Sequence, residues 1–277
     1  MKRYRISEIF HSVQGEGRYT GVPSLFLRFW GCNFQCRGFG KSQLPKTRID
    51  RLEDFPVLES GCDTEYAWNP AFRHLSEEMT ADEICDRLEE LVPSFQHPYS
   101  SLETHLVITG GEPMLNQAGI VTVLDALAAR DNLPSYITIE TNGTQAPRQE
   151  LADRISRYEG YGSRELFWSV SPKLSLSGEA WDAAIRPSVV AAYQMLSNAG
   201  QLKFVVGSAD REWDEMESTI QKFRDAGVEW PVWVMPTGAR EEEQTATAGK
   251  VAEKAFKKGY NVAARVHVYL FGNAIGT

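Results

Sequence analysis

The feature that most restricts this chain is a rhythm of short apolar runs alternating with longer amphipathic stretches. Ser24–Phe29 (SLFLRF), Leu106–Thr109 (LVIT), Tyr136–Glu140 (YITIE), Leu166–Val170 (LFWSV), Leu202–Val206 (LKFVV), Val232–Met235 (VWVM) and Arg265–Leu270 (RVHVYL) read as strands. Between them lie helical patterns. ADEICDRLEELV opens on a capping box at Thr80–Glu83, and NQAGIVTVLDALAAR, a segment near Glu150–Tyr158, SVVAAYQMLSNAG, DREWDEMESTIQKFRDAG and Glu241–Lys258 follow. Strands that alternate with helices predict βαβ units and a mostly parallel α/β sheet. Two segments interrupt the rhythm: Arg37–Gly61, a polar insertion with little structure expected of its own, and the connector Pro93–Glu103. Neither is long enough to form a domain, so residues 1–277 are expected to form one domain with a loop insertion at 37–61.

Composition excludes some classes of function. The net charge of −8 argues against nonspecific binding to nucleic acid or to an anionic membrane surface. MKRYRISEIF lacks the apolar core of a signal peptide, and no apolar run approaches bilayer length. The expectation is a cytoplasmic protein without membrane or nucleic-acid partners, in a compartment where thiols stay reduced.

The chemistry gathers after the strands. SLFLRF runs into WGCNFQC, LVIT into GGEP (Gly110–Pro113), YITIE into TNGT (Thr141–Thr144), and LFWSV into SPK (Ser171–Lys173). VWVM is followed by PTG (Pro236–Gly238) and RVHVYL by FGN (Phe271–Asn273). In a parallel barrel these βα loops converge on one face, where active sites are built, although βα loops are rich in Gly and Pro in any case. Cys32 and Cys36 are spaced like metal ligands, and Phe39 stands where a third cysteine would complete a compact loop. If Arg37–Gly61 is an insertion, Cys62 is the displaced third ligand. Three thiolates fit a [4Fe–4S] cluster with one iron left open, and four would suit a closed cluster or structural zinc. Cys85 aligns with Ala81, Leu88 and Val92 on its helix and reads as a buried core thiol. His74 and His97 are the histidines available to zinc, but neither has a ligand's spacing from the cysteines.

These residues resemble those of radical S-adenosylmethionine (SAM) enzymes, specifically the 7-carboxy-7-deazaguanine synthase family. The carriers are Cys32, Cys36 and the trio Cys62-Asp63-Thr64, with Gln14-Gly15-Glu16-Gly17, Gly21-Val22-Pro23 and Arg28 in FLRFWGCN. Thr109-Gly110-Gly111-Glu112-Pro113, Glu140-Thr141-Asn142-Gly143 and Ser171-Pro172-Lys173 follow in the family's order. The cysteine loop alone says only radical SAM; its combination with QGEG, Cys-Asp-Thr and SPK is much more specific. The resemblance implies a partial (β/α)6-type barrel with mostly parallel strands. It also implies conversion of 6-carboxy-5,6,7,8-tetrahydropterin to 7-carboxy-7-deazaguanine, by hydrogen abstraction at C6 and ring contraction with loss of ammonia.

The same resemblance assigns roles. Cys32, Cys36 and Cys62 would hold the cluster, and Thr64 would ligate Mg²⁺. Gln14, Gly15 and Glu16 would meet the pterin edge, with Thr109 also touching substrate. Arg28, a charge in an apolar run, would bind the substrate carboxylate; a buried structural ion pair is the competing reading. Gly111, Glu112, Glu140, Asn142, Ser171, Pro172, Lys173, Met235 and Pro236 would contact SAM. Lys203 would face the wet side of the barrel. His267 is either a core histidine or a substrate contact, and Thr277 falls at a family position near the substrate. Gly61 replaces the family's aromatic residue before the third cysteine, which leaves Phe39 or Tyr66 to pack the adenine. A flavodoxin-type electron donor and a homodimer are family expectations. The alternatives are an activase that generates a glycyl radical on a partner protein, which needs neither QGEG nor Arg28, and a zinc-stabilised binding module, which leaves the barrel-end motifs idle.

Overall fold

The computed structural model describes residues 1–40, 44, 48–58, 61–160, 162–238, 240–272 and 274–277. Its strands are β1 (Tyr4–Val13), β2 (Pro23–Phe29), β3 (Glu77–Met79), β4 (His105–Gly110), β5 (Tyr136–Thr141), β6 (Glu165–Val170), β7 (Gly200–Val206), β8 (Val232–Pro236) and β9 (Asn261–Val262). The helices are α1 (Ala81–Leu91), α2 (Gln117–Ala129), α3 (Gln149–Glu159), α4 (Trp181–Ala184), α5 (Pro187–Leu196), α6 (Asp210–Asp225), α7 (Glu241–Lys258) and α8 (Val266–Phe271). All strands join one sheet in the order β3-β1-β2-β4-β5-β6-β7-β8-β9. Every pairing from β2 to β9 is parallel, and β1 runs antiparallel between β2 and β3. Among the described residues β3 and β9 are edges that do not meet, so the barrel is open.

Alternation along the strands separates two faces. Leu25, Leu27, Phe29, Leu106 and Ile108 turn outward and pack with Ile84, Leu88, Ile120 and Leu124 of the helices into the main core. Phe26 and Val107 turn inward with Phe10, whose ring stacks on Phe26 at 4.7 Å. α1 begins as its sequence predicts. Glu83 N–H donates to Thr80 Oγ1 and Thr80 N–H to Glu83 Oε2, a reciprocal cap worth about 1 kcal/mol.

Three differences from the sequence reading matter. First, β1 carries no clean alternation, because its register shifts between Ile6, opposite Phe29, and Glu8, opposite Arg28. Tyr4 and Ile6 lie in the outer core, whereas Glu8 and Phe10 line the interior. One extra residue, Ser7, thus exchanges the two faces, as a bulge does. Second, RVHVYL is not a strand. The last strand is the two-residue β9, and the chain then turns at Arg265 into α8. Buried ion pairs of Arg265 and a 3.0 Å bond from Val266 N–H to the Gly15 carbonyl hold this turn across the barrel mouth. Tertiary anchoring overrides the β preference of the two valines.

Third, the insertion has structure. Single 3₁₀ turns form at Arg37–Phe39 and Leu52–Asp54. Ile49, Phe55 and Leu58 make a small core with Tyr66 and Ala67, against which Ile275 packs. Residues 41–43, 45–47, 59 and 60 of that segment lie outside the described residues, as does Asn273 of the expected FGN loop. Among the described residues no helix is long and apolar enough to cross a membrane.

Candidate active site

A cavity of about 710 Å³ opens at the carboxyl ends of the parallel strands, with the Phe10–Phe26 stack among its lining. Of the residues that the resemblance assigns to substrate, SAM, the cluster or Mg²⁺, all line it except Glu112. Gln14, Gly15 and Glu16 of the QGEG segment, with Arg28, Thr109, Lys203, His267 and Thr277, stand in the same wall as Cys32, Cys36, Cys62 and Thr64. The expected SAM contacts Gly111, Glu140, Asn142, Ser171, Pro172, Lys173, Met235 and Pro236 line it as well. Glu112 is fully buried behind the wall. Its carboxylate accepts from Thr141 Oγ1 (2.7 Å), Asn142 N–H (2.7 Å) and Met114 N–H (3.0 Å). It is a strut that fixes the loop after β5 to the loop after β4.

The displaced cysteine returns. Gly61 N–H bonds the Phe39 carbonyl at 2.9 Å, closing the neck of the insertion so that the residue after it re-enters the wall beside the first two thiols. The Cys32–Cys36 loop is braced from several sides. Phe34 N–H points at Cys32 Sγ (3.3 Å), and Gln35 and Cys36 N–H both donate to Glu179 Oε1 (2.9 and 2.7 Å). Asn142 Nδ2 donates to Asn33 Oδ1 at 3.0 Å. A Cβ on Gly111 would lie 2.5 Å from the Gly31 carbonyl oxygen and 2.7 Å from Cys32 Cβ, so GGEP needs its second glycine for this approach.

Burial pushes all three thiols up, Cys32 to about 12 and Cys36 to about 11; nearby Glu112 and the other two thiols add to it at Cys32, Cys62 at Cys36, and Asp63 at Cys62. Thiolates here need added positive charge, which iron supplies. Three thiols around one cavity, with no fourth cysteine in its lining, fit a cluster with an open iron. Cys85 is fully buried in the main core, 4.0 Å from the Val123 carbonyl oxygen. Among the described residues no three His, Cys, Asp or Glu side chains converge on a single ion. His74 bonds the Ile49 carbonyl and His97 lies against Ser100, both away from the cavity.

Two charged groups complete the wall. Glu16 receives Lys203 Nζ on one oxygen and Arg265 Nε (3.0 Å) on the other, and Arg265 Nη2 reaches Asp63 at 2.6 Å. Burial alone would raise the Glu16 carboxyl, but the two cations outweigh it and hold the group well below the carboxylate range. Arg28 does have a structural partner, since its Nε donates to Glu8 Oε1 at 2.6 Å and Nη1 to the Gly110 carbonyl at 3.3 Å. Tyr66 O–H donates to the same Glu8 oxygen.

Glu8, Glu179 and Arg265 were not singled out by sequence reasoning, and Asp63 was named there only as a member of the Cys-Asp-Thr trio, without a role. Arg265 carried a usable signal, a charge at the head of an apolar run. Glu8 was hidden by the bulge, and Glu179 by lying nine residues beyond its strand.

Open parallel barrels with three thiols at the mouth define a class, the radical SAM enzymes. No family model matches the chain. Curated 7-carboxy-7-deazaguanine synthases do: that of Rhodopirellula baltica is 32% identical over 98% of this chain and 88% of its own length. The Halobacterium salinarum enzyme is 32% identical over 97% and 91%. The crystal structure of QueE from Escherichia coli shares the fold, with a TM-score of 0.55 and 20% identity over 96% of this chain and 95% of that one. The chain belongs to the 7-carboxy-7-deazaguanine synthase family.

Proposed function

We propose that this enzyme converts 6-carboxy-5,6,7,8-tetrahydropterin to 7-carboxy-7-deazaguanine. The observation that carries the reading is that Cys62 lines one cavity with Cys32, Cys36, Gln14, Gly15 and Glu16. Cys32, Cys36 and Cys62 would hold a [4Fe–4S] cluster, which together with SAM would supply the radical chemistry for hydrogen abstraction at the substrate C6.

The chain's own part is placement. Gly110 and Gly111 offer close backbone to the methionine end of SAM, and Ser171 and Lys173, on either side of Pro172, offer a hydroxyl and an ammonium group to its polar atoms. Glu140 and Asn142 complete that side, Asn142 being fixed by Asn33. Met235 and Pro236 pack the nucleoside. Gln14, the Gly15 backbone and Glu16 meet the pterin edge. Glu16 keeps unused lone pairs between Lys203 and Arg265. Arg28 takes the substrate carboxylate, with Thr109, His267 and Thr277 closing around it. Thr64 Oγ1 ligates Mg²⁺, a hard ion that suits oxygen donors shared with substrate. The protein acts as one domain and as a cytoplasmic homodimer, with electrons from a flavodoxin-type donor.

The test is anaerobic reconstitution with iron and sulfide, then incubation with SAM, reductant, Mg²⁺ and the tetrahydropterin. Formation of 7-carboxy-7-deazaguanine is expected. A brown protein that cleaves SAM but leaves the pterin untouched overturns the substrate assignment.

A further inference from the structure

The wall of the cavity holds an acceptor that nothing among the described residues satisfies. Glu8 is buried, its side chain 6% exposed, and its Oε1 already receives Arg28 Nε and the Tyr66 hydroxyl. Its Oε2 has no hydrogen-bond partner among the described residues. A buried carboxylate oxygen left bare costs free energy, so such an atom in a site calls for a ligand donor. The bulge at Ser7 is what aims Glu8 inward opposite Arg28; an unbroken β1 would turn it to the outer core.

The pairing also changes what Arg28 can bind. Glu8 takes Arg28 Nε on Oε1, so a ligand carboxylate arriving alone on the rest of the guanidinium would leave Glu8 Oε2 bare. A ligand that brings an N–H donor beside its carboxylate meets both needs at once. That combination is the edge of an α-amino acid. In 6-carboxy-5,6,7,8-tetrahydropterin, C6 carries the carboxylate and its ring neighbour N5 carries hydrogen. In 6-carboxy-7,8-dihydropterin and fully oxidised 6-carboxypterin, N5 is a bare lone pair.

We infer that Arg28 and Glu8 together read this α-amino-acid edge, Glu8 Oε2 accepting the N5–H, so that Glu8 selects the tetrahydro form over more oxidised pterins. The inference rests on the substrate reading given above and assigns Glu8 as a substrate-contacting, specificity-determining residue. Rejection follows from the same geometry, because a lone pair facing an unpaired carboxylate oxygen gains no bond and suffers repulsion.

The experiment measures binding without turnover, on reconstituted protein with SAM and no reductant, by anaerobic equilibrium dialysis. Wild type is expected to bind the tetrahydropterin about a hundredfold more tightly than 6-carboxypterin. Glu8→Gln offers an amide N–H in place of the acceptor, and should cut that preference about tenfold or more. Equal binding of the two forms by wild type, or full preference retained in folded Glu8→Gln, overturns the inference. The dihydropterin tests it on wild type alone: it should group with 6-carboxypterin, and binding like the tetrahydro form overturns the role of N5–H. If wild type binds none of the three, the substrate reading itself falls and the inference with it.

Discussion

The two ends of the barrel interior are built from the same strands and obey opposite rules. At the carboxyl end, the inward residues are Glu8, Arg28, Thr109, Glu140 and Lys203, joined by Glu16 and Arg265 from the loops. At the amino end, the ring of His105 stacks on Tyr136 at 4.5 Å, and Tyr19 presses edge-on against His105 at 4.7 Å and Phe167 at 5.0 Å. Two pleats of register separate Arg28 from Ser24 and Thr109 from His105. One end keeps buried charges in pairs and leaves Glu8 Oε2 open. The other is a plug of aromatic faces with one ion-supported hydroxyl, Tyr19 to Glu165. Chemistry and closure are thus separated along each strand by a step of two or four residues.

The sharpest way to break this contrast is at the thiols. Cys62→Ala should reduce bound iron and sulfide after reconstitution to background and abolish SAM cleavage, whereas Cys85→Ala should retain both. Iron and sulfide assays with the visible spectrum decide it; cluster loss on Cys85→Ala alone would reassign the ligand set.

Next in size is the buried charge group. Glu16→Gln leaves Lys203 without its carboxylate partner and Arg265 with Asp63 alone. Removing one member of such a group costs about 3–5 kcal/mol, read from denaturant unfolding. A loss below about 1 kcal/mol would mean that the mouth is wetter than its burial implies.

The sequence made these ends unequally legible. At the mouth, Gly, Pro and hydroxyl residues follow each strand because tight turns and close ligand approach demand them, so the βα loops were readable in order. Cys62 was recoverable because an insertion displaces a ligand without altering its neighbours Asp63 and Thr64. The strand β1 was missed because the bulge at Ser7 breaks its alternation, and Glu8 went with it. RVHVYL misled because its valines favour a strand, while the deciding contacts, Arg265 to Glu16 and Asp63, come from residues far away in the chain. At the other end, nothing local marks Tyr19 as a plug: it sits between β1 and β2, and only the assembled sheet brings His105 and Phe167 to it.

The plug yields a smaller, pH-dependent effect. Burial lowers the His105 imidazole to about 4, and its Nδ1 has no partner among the described residues. Since the folded-state value lies below the ordinary 6.5, folding favours the neutral ring. Its contribution is intact above about pH 6.5 and declines as pH falls toward 4, because the unfolded chain takes up the proton first. The loss should total about 2 kcal/mol after solvent screening is allowed for. Urea unfolding at a series of pH values should show this decline in wild type and a flatter profile in His105→Phe, which keeps the stack on Tyr136 and cannot titrate. Parallel profiles would place the acid sensitivity elsewhere.

The smallest effect is at Tyr19, and it measures how far the plug depends on shape alone. Tyr19→Phe preserves the ring contacts to His105 and Phe167 and removes only the hydrogen bond to Glu165. Glu165 is half-buried, so water can replace the lost donor, and the cost should be about 1 kcal/mol. In a chain of this size that is a fall of about 2–4 °C in Tm by calorimetry. Tyr19→Ala opens the plug and should cost about 3–5 kcal/mol, comparable to breaking the Glu16 group. If Phe proved as damaging as Ala, the amino end would be held by its polar bond after all, and the two ends would follow one rule.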